Sequence, residues 1–365
     1  MPEPRSAPTL HVGKAGRAPR VVQSSRTVPL RRPLVSVLLP CFNAETTLPL
    51  ALRSVERQRF DDWECVLVDD GSTDRSAALL TAQAERDPRF RVVRCRHAGN
   101  VTALNAGLEH CRGSFVARMD ADDVMHRERL ALQHAFLAER PELAGVGCHV
   151  RLFPRSRLRP GRRQYEQWLN SLWSEEALFR DRFVECVLAH PSWFFRTAVL
   201  QQHRYRDVGW PEDYDLLLRL WGSGERVGVV PRRLLGWRDG ESRLSRTHRA
   251  YSLESFVGCK AHFLADWIGA SQGYVLWGYG GTGRTLARAL LELGLAPTHI
   301  VELHPGRLGQ RVAGAPVIAP EALALLTPRP RRIVVSVARA GPRGEVRAHL
   351  QSLGFQPEQD FVCAA

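Results

Sequence analysis

Three aspartates fall within four positions of FVARMDADDVMH, residues 115 to 126, directly after a mostly apolar run. In an extended segment residues i and i+2 face the same side, so Asp120 and Asp122 present their carboxylates together while Ala121 points away. Two such carboxylates repel unless a cation sits between them. Hard oxygen ligands suit Mg²⁺ or Mn²⁺, ions that keep coordination positions open for substrate phosphates. A calcium loop starting at Asp120 would need glycine where Met125 stands and glutamate where Ala131 stands, which excludes an EF-hand. The plainer reading is a helix start, with Asp122 or Asp123 capping the helix that contains RERLALQHAF. Two further acidic groups stand out: Asp69 and Asp70 in VLVDDGSTD, and Glu212, Asp213 and Asp215 in PEDYDLLLRL.

The elements around these residues alternate. LVSVLL reads as a strand, TTLPLALRSVERQ as a helix, WECVLV as a strand and DRSAALLTAQAER as a helix, and RFRVVRC, VTALNAGLEHC, SFVARMD and RERLALQHAFLAER continue the series. Short apolar runs separated by amphipathic segments predict βα units on a mainly parallel sheet, in which ligands bind beyond the carboxyl ends of the strands. Acidic groups follow two of those strands, at Asp69-Asp70 and at Asp120 to Asp123. Past residue 150 the regularity weakens, with a basic, proline-interrupted stretch RLFPRSRLRPGRRQ and one clear helix, DYDLLLRLWGSG. A new unit opens at Tyr274, where YVLWGYGGTGRTLARALLELG reads as strand, glycine-rich turn and helix.

Length and composition set the frame. A chain of 365 residues with 44% hydrophobic content predicts two packed domains. The expected division is a disordered basic tail over 1–33, an α/β domain over 34–250, a linker or helix over 251–272 and a smaller α/β unit over 273–365. A net charge of +13 favours anionic partners, but the basic residues are dispersed and match no nucleic-acid module. The eight cysteines show no metal or disulfide spacing, which fits a reducing, cytoplasmic setting. No run reaches the length of a membrane span, and the arginine-rich tail would meet an anionic membrane surface only peripherally.

Four segments in order, VSVLLPCFNAETTL, VLVDDGSTD, MDADD and PEDYDLLLRL, resemble the family 2 glycosyltransferases over residues 34 to 245. The resemblance implies the GT-A fold and an inverting sugar transfer from an NDP-sugar to a glycan or lipid-linked acceptor. It implies that Pro40, Phe42, Asn43 and Glu45 border the nucleotide and that Asp69 and Asp70 bind its base and ribose. Asp74 is read instead as the cap of the next helix. Asp120 and Asp122 then hold Mn²⁺ or Mg²⁺ on the diphosphate, with Asp120 also near the ribose, and Arg238 in WRDGESRLS reaches the same diphosphate. Asp213 becomes the base that deprotonates the acceptor, its proton affinity raised by Glu212 and Asp215. Glu212 is grouped with the acceptor side, and HPSWFFR offers His190 and Trp193 as acceptor contacts. The Q-x-x-R-W signature of processive synthases is missing, so addition of one or a few sugars in cell-surface polysaccharide synthesis is expected.

Gly278, Gly280 and Gly283 form G-x-G-x-x-G, and Glu302 ends the next strand about 20 residues on, as in dinucleotide-binding folds. Too few residues remain for a full dinucleotide fold with a substrate domain. A half-Rossmann module is therefore expected, either packing and dimerising or binding a nucleotide, and removable without loss of donor chemistry. Two rival readings are a sugar nucleotidyltransferase, which would carry a glycine- and arginine-rich phosphate loop, and a catalytically silent carbohydrate- or nucleotide-binding protein.

Overall fold

The computed structural model describes residues 20–22, 32–240, 243, 246, 248–269 and 273–365. Most of the segment expected as a tail lies outside them, as do Glu241, Ser242, Leu244 and Ser245 of the loop after Arg238.

The first part runs β1 (Arg20–Val22), β2 (Val35–Cys41), α1 (Leu48–Glu56), β3 (Trp63–Asp69), α2 (Ser76–Arg86), β4 (Phe90–Arg94), α3 (Asn100–His110), β5 (Phe115–Arg118) and β6 (Val124–Met125). It continues through α4 (Arg129–Ala138), β7 (Leu143–Phe153), α5 (Pro160–Leu169), α6 (Glu175–Asp181), β8 (Phe194–Arg196), α7 (Thr197–His203), α8 (Glu212–Gly222) and β9 (Arg226–Arg238). These strands make one sheet in the order β1-β4-β3-β2-β5-β8-β7-β9-β6, with β4, β3, β2 and β5 parallel. Every residue of β2 and β3 is buried, as a parallel strand covered by helices on both faces requires. Their carboxyl ends, with that of β5, release the acidic loops on one edge. Residues 20–22 lie within the expected tail yet pair antiparallel with β4, Arg20 opposite Arg94.

The second part runs α9 (Leu253–Ile268), β10 (Tyr274–Trp277), α10 (Gly281–Glu292), β11 (Pro297–Val301), β12 (Arg311–Val312), β13 (Ala315–Ile318), β14 (Ile333–Val335), α11 (Ala340–Ser352) and β15 (Phe361–Cys363). Its sheet has the order β12-β13-β11-β10-β14-β15, and all but β12 are parallel. The expected half-Rossmann unit is thus larger. Ala315–Ile318 and Phe361–Cys363, short strands that carry no periodic signal, bring the parallel set to five.

The two sheets share a core. One continuous apolar cluster contains Leu38, Val187 and Tyr214 from the first part and Leu276, Val334 and Val362 from the second. The segment expected as a linker or helix holds α9, whose Val257, Cys259, Ala261 and Leu264 are buried. Its Lys260 ammonium donates to the carbonyls of Val184 (3.1 Å) and Ala364 (2.7 Å), so both parts hold one buried cation. Burial pulls Lys260 down to about 8. Arg182 pairs with Glu358, and Arg347 with Asp181 at 2.5 Å. Truncation after residue 268 strips one side from this core and from the Lys260 site. The truncated protein is expected to unfold at least 10 °C below the full chain in a thermal melt, since several kcal/mol of buried contacts go at once. A folded truncation with an unchanged midpoint would contradict the shared core.

Candidate active site

The nucleotide end is built from three loops that follow β2, β3 and β4. Asn43, at φ +48°, accepts the Thr73 N–H through Oδ1 at 2.8 Å, tying the first loop to the second. Glu45 accepts the Arg75 N–H (3.0 Å), and Asp74 accepts from Glu45 N (3.1 Å) and Ser76 N (2.9 Å) at the start of α2. Asp70 is buried and binds the third loop: its carboxylate accepts from Ala98 N (3.0 Å) and Gly99 N (3.1 Å) and lies 2.9 Å from His97 Nδ1. Asp69, also buried, accepts the Ser72 N–H at 3.0 Å. Both aspartates therefore shape the loops from within, and Pro40 is buried inside β2. What these loops expose is an aromatic step: Phe42, 44% exposed, stacks on His97 with ring centroids 4.0 Å apart and planes 14° apart. His97 carries no motif signal; only the fold lays it on Phe42.

The acidic edge follows β5. Asp120, Asp122 and Asp123 can bring carboxylate oxygens within 4.8 Å of one another. Asp123 was legible as a cap, but α4 begins six residues later at Arg129, and no side chain caps it. Instead β6 pairs antiparallel with β9, Val124 opposite Gly236, and this draws Arg238 against the cluster. Asp123 accepts the Arg238 N–H at 2.7 Å through Oδ1, and the Arg238 guanidinium donates to the Asp122 carbonyl at 2.7 Å. The other Asp123 oxygen is buried with no partner among the described residues. Burial and the Asp120 charge push the Asp122 carboxyl up to about 6, and burial with both neighbours holds Asp123 well above the usual carboxylate range. Three mutually repelling carboxylates with an orphaned, buried oxygen are the donor set that a hard divalent cation fits.

The third group opens α8. Asp213 is half-buried, and burial followed by the Glu212 charge pushes its carboxyl up to about 7. Asp215 does not contribute as expected: it points away into an ion cluster with Arg206 (2.6 Å) and Arg219 (2.8 Å). Glu212 is buried and accepts from Asn100 Nδ2 (2.7 Å) and from the Tyr251 hydroxyl (2.5 Å). His190 lies beside it, 3.8 Å from Glu212 Oε1 and 2.8 Å from the Tyr205 hydroxyl, and burial pulls its imidazole well below its usual value. Trp193 is only 1% exposed and packs on Phe195, so its ring offers no open face to a sugar.

Two links join these groups. Asp70 holds Gly99, and the next residue, Asn100, holds Glu212. Arg118, buried at the end of β5, pairs with Asp120, and its charge also favours the ionised forms of Asp122 and Asp213. Sequence reading missed Arg118 because a lone arginine ending a strand has no motif. The remaining sequence candidates, Gly278, Gly280, Gly283 and Glu302, lie on the second sheet around the turn from β10 into α10.

A parallel sheet with an aromatic and acidic loop edge, a carboxylate trio and a separate raised carboxylate defines the class of GT-A nucleotide-sugar transferases. Residues 36–204, just under half of the chain, match Glycosyl transferase family 2. An uncharacterised glycosyltransferase of Haemophilus influenzae is 24% identical over 217 residues, 56% of this chain and 65% of that protein. The undecaprenyl-phosphate 4-deoxy-4-formamido-L-arabinose transferase of Pseudomonas fluorescens is 46% identical over 93 residues, 24% of this chain and 27% of that one. The chain thus spans at most 65% of the length of these curated relatives. Among solved structures, S. aureus TarS 1-349 in complex with UDP-GlcNAc superposes with a TM-score of 0.53 at 20% identity, over 70% of this chain and 71% of that one, which shows the shared fold.

The carboxylate trio makes a measurable demand. Asp122→Asn removes one of three like charges, so the variant in EDTA at pH 7.5 is expected to be more stable than wild type by on the order of 1 kcal/mol. The same variant should lose most of the thermal stabilisation that Mn²⁺ gives the wild type. A wild type indifferent to Mn²⁺ would remove the metal-site reading.

Proposed function

We propose that this protein is an inverting, non-processive glycosyltransferase that moves a sugar from an NDP-sugar to a hydroxyl of a glycan or lipid-linked acceptor in cell-surface polysaccharide synthesis. The observation that carries this reading is the half-buried Asp213, poised near neutrality, which shares the buried Arg118 charge with the cluster of Asp120, Asp122 and Asp123. A carboxylate with that proton affinity can take a proton from an alcohol in the transition state. Asp213 accepts the acceptor's hydroxyl proton as that oxygen attacks the anomeric carbon. The bond from this carbon to the diphosphate oxygen breaks on the opposite face, and its electron pair leaves with the nucleotide. A Mn²⁺ or Mg²⁺ ion held by Asp120, Asp122 and Asp123 would supply positive charge to the departing diphosphate. The Phe42–His97 step offers a stacking surface for the nucleobase, Glu212 fixes the start of α8 through Asn100 and Tyr251, and Arg118 keeps the two acidic groups from repelling each other.

Asp213→Asn is expected to lower turnover by roughly 10²- to 10⁴-fold while donor affinity stays within about threefold. The sign of the pH dependence follows from the base: kcat/KM should rise with pH below about 7 and level off above it, because only ionised Asp213 accepts the proton. An Asp213→Asn enzyme with normal turnover, or a product with retained anomeric configuration by NMR, would sink the mechanism.

A membrane-borne acceptor is supported by the charge distribution. No helix among the described residues is long and apolar enough to cross a membrane. A hollow of about 790 Å³ between α1, β6, β7 and β9 is lined by Arg53, Arg57, Arg127, Arg151 and Arg233, none with an acidic partner among the described residues. Such a surface suits phosphate headgroups, at roughly 1 kcal/mol per arginine near an anionic bilayer. Co-sedimentation with phosphatidylglycerol vesicles is expected, with at least tenfold weaker binding for Arg53→Gln/Arg57→Gln/Arg127→Gln and for 0.5 M salt. Equal sedimentation with neutral phosphatidylcholine vesicles would contradict it.

A further inference from the structure

The second sheet holds a site that the transfer reaction does not use. Its parallel strands lie in the order β13-β11-β10-β14-β15, so chain direction across the sheet reverses between β10 and β14. Beyond the carboxyl ends of two such strands, where their connections diverge, an open α/β sheet leaves a crevice for ligands.

The turn at this point is built for close approach. Gly278 has φ +93°, and a Cβ there would lie 2.9 Å from the Ser336 carbonyl at the end of β14. A Cβ at Gly283 would lie 2.2 Å from the Gly278 carbonyl, so this position must be glycine for α10 to start against the strand. Gly280 and Gly281 differ: a Cβ at either would meet nothing within 4 Å. The loop is therefore packed tightly beneath and open above, at the start of a 12-residue helix whose first N–H groups lack intrahelical partners.

A second, independent observation points to a ligand. Ser336 is 6% exposed, its hydroxyl has no partner among the described residues, and it lies 3.4 Å from where a Gly283 Cβ would be. A buried hydroxyl left unsatisfied at the mouth of a helix needs an explanation, and an acceptor oxygen from outside supplies one. Across the turn, Glu302 follows β11 and accepts the Tyr279 N–H at 2.6 Å through Oε1, with Arg307 at 3.4 Å from the same oxygen. Glu302 is held at the loop while its other oxygen has no protein partner in the hydrogen bonds formed there. An ionised carboxylate in this position accepts from ribose hydroxyls.

We propose that this crevice is a second nucleotide site, distinct from the transferase cleft, that takes the diphosphate of a ribonucleotide on the Gly280–Thr282 turn and Ser336 and its ribose on Glu302. A nucleotide-sugar and a free dinucleotide share this chemistry. Binding is counted by equilibrium dialysis of the full chain against radiolabelled UDP, ADP and NAD, in Mn²⁺ and in EDTA. Gly280→Asp is the decisive variant, because its backbone is extended and its side chain has room, yet it sets a carboxylate where the diphosphate goes. It should melt at the wild-type temperature without ligand and lose one bound equivalent of at least one probe in both wild-type and Asp122→Ala backgrounds. Glu302→Gln should weaken that probe about tenfold and leave inorganic pyrophosphate unchanged. Equal stoichiometry with and without Gly280→Asp for all three probes would overturn the proposal. The transferase reading rests on the equivalent lost with Asp122→Ala, so each site can fail alone.

Discussion

Repulsion among carboxylates is the constraint around which the first domain is arranged. Asp120, Asp122 and Asp123 bring their charges within a few ångströms, and burial makes ionisation of Asp122 and Asp123 harder still. A chain that only needed to fold would not keep this arrangement. The surrounding protein offsets part of it: Arg118 pairs with Asp120, and the Arg238 N–H holds Asp123. Among the described residues it leaves one Asp123 oxygen without a hydrogen-bond partner. The β6–β9 pairing sets Arg238 against the trio.

The same reasoning separates the two acidic pairs that look alike in sequence. Asp69-Asp70 and Glu212-Asp213 are both adjacent acids, but their surroundings differ. Asp69 and Asp70 spend their oxygens on backbone N–H groups of adjoining loops, which makes them the frame of the nucleotide end. In the second pair the work is divided. Glu212 is engaged by Asn100 and Tyr251, and after burial its charge raises the proton affinity of Asp213, whose carboxylate accepts the Tyr214 N–H at 2.7 Å. Two adjacent acids whose environments push them apart are the usual way a fold assigns one to structure and one to proton transfer.

Local pattern made much of this legible. Continuous apolar runs in β2 and β3 announced a parallel sheet, the i, i+2 spacing put Asp120 and Asp122 on one side, and the glycine spacing marked the turn into α10. What stayed hidden depends on contacts across the chain. Arg118 reads as a strand end until Asp120 and the acids of α8 meet around it; Asp123 reads as a cap until β9 arrives; His97 reads as loop until Phe42 lies on it. The short strands Ala315–Ile318 and Phe361–Cys363 are too brief for any period, and only pairing in the sheet defines them.

Sequence also gave no sign that the second sheet stands behind the base, and the structure gives a physical route. Tyr214, next to Asp213, stacks on Phe256 of α9 with centroids 4.5 Å apart and planes 2° apart, and its hydroxyl donates to the Arg182 carbonyl at 2.7 Å. Arg182 in turn pairs with Glu358, and α9 is pinned by Lys260 to the carbonyl of Ala364. The side chain following the base is thus held on one ring face by α9 and at its hydroxyl by Arg182, which pairs with Glu358 ahead of β15. Because these contacts are buried and close-packed, the position of Asp213 depends on the second sheet being in place. A base must stand within hydrogen-bond reach of the hydroxyl it deprotonates, so a displacement of even 1 Å at Tyr214 bears directly on the transfer step.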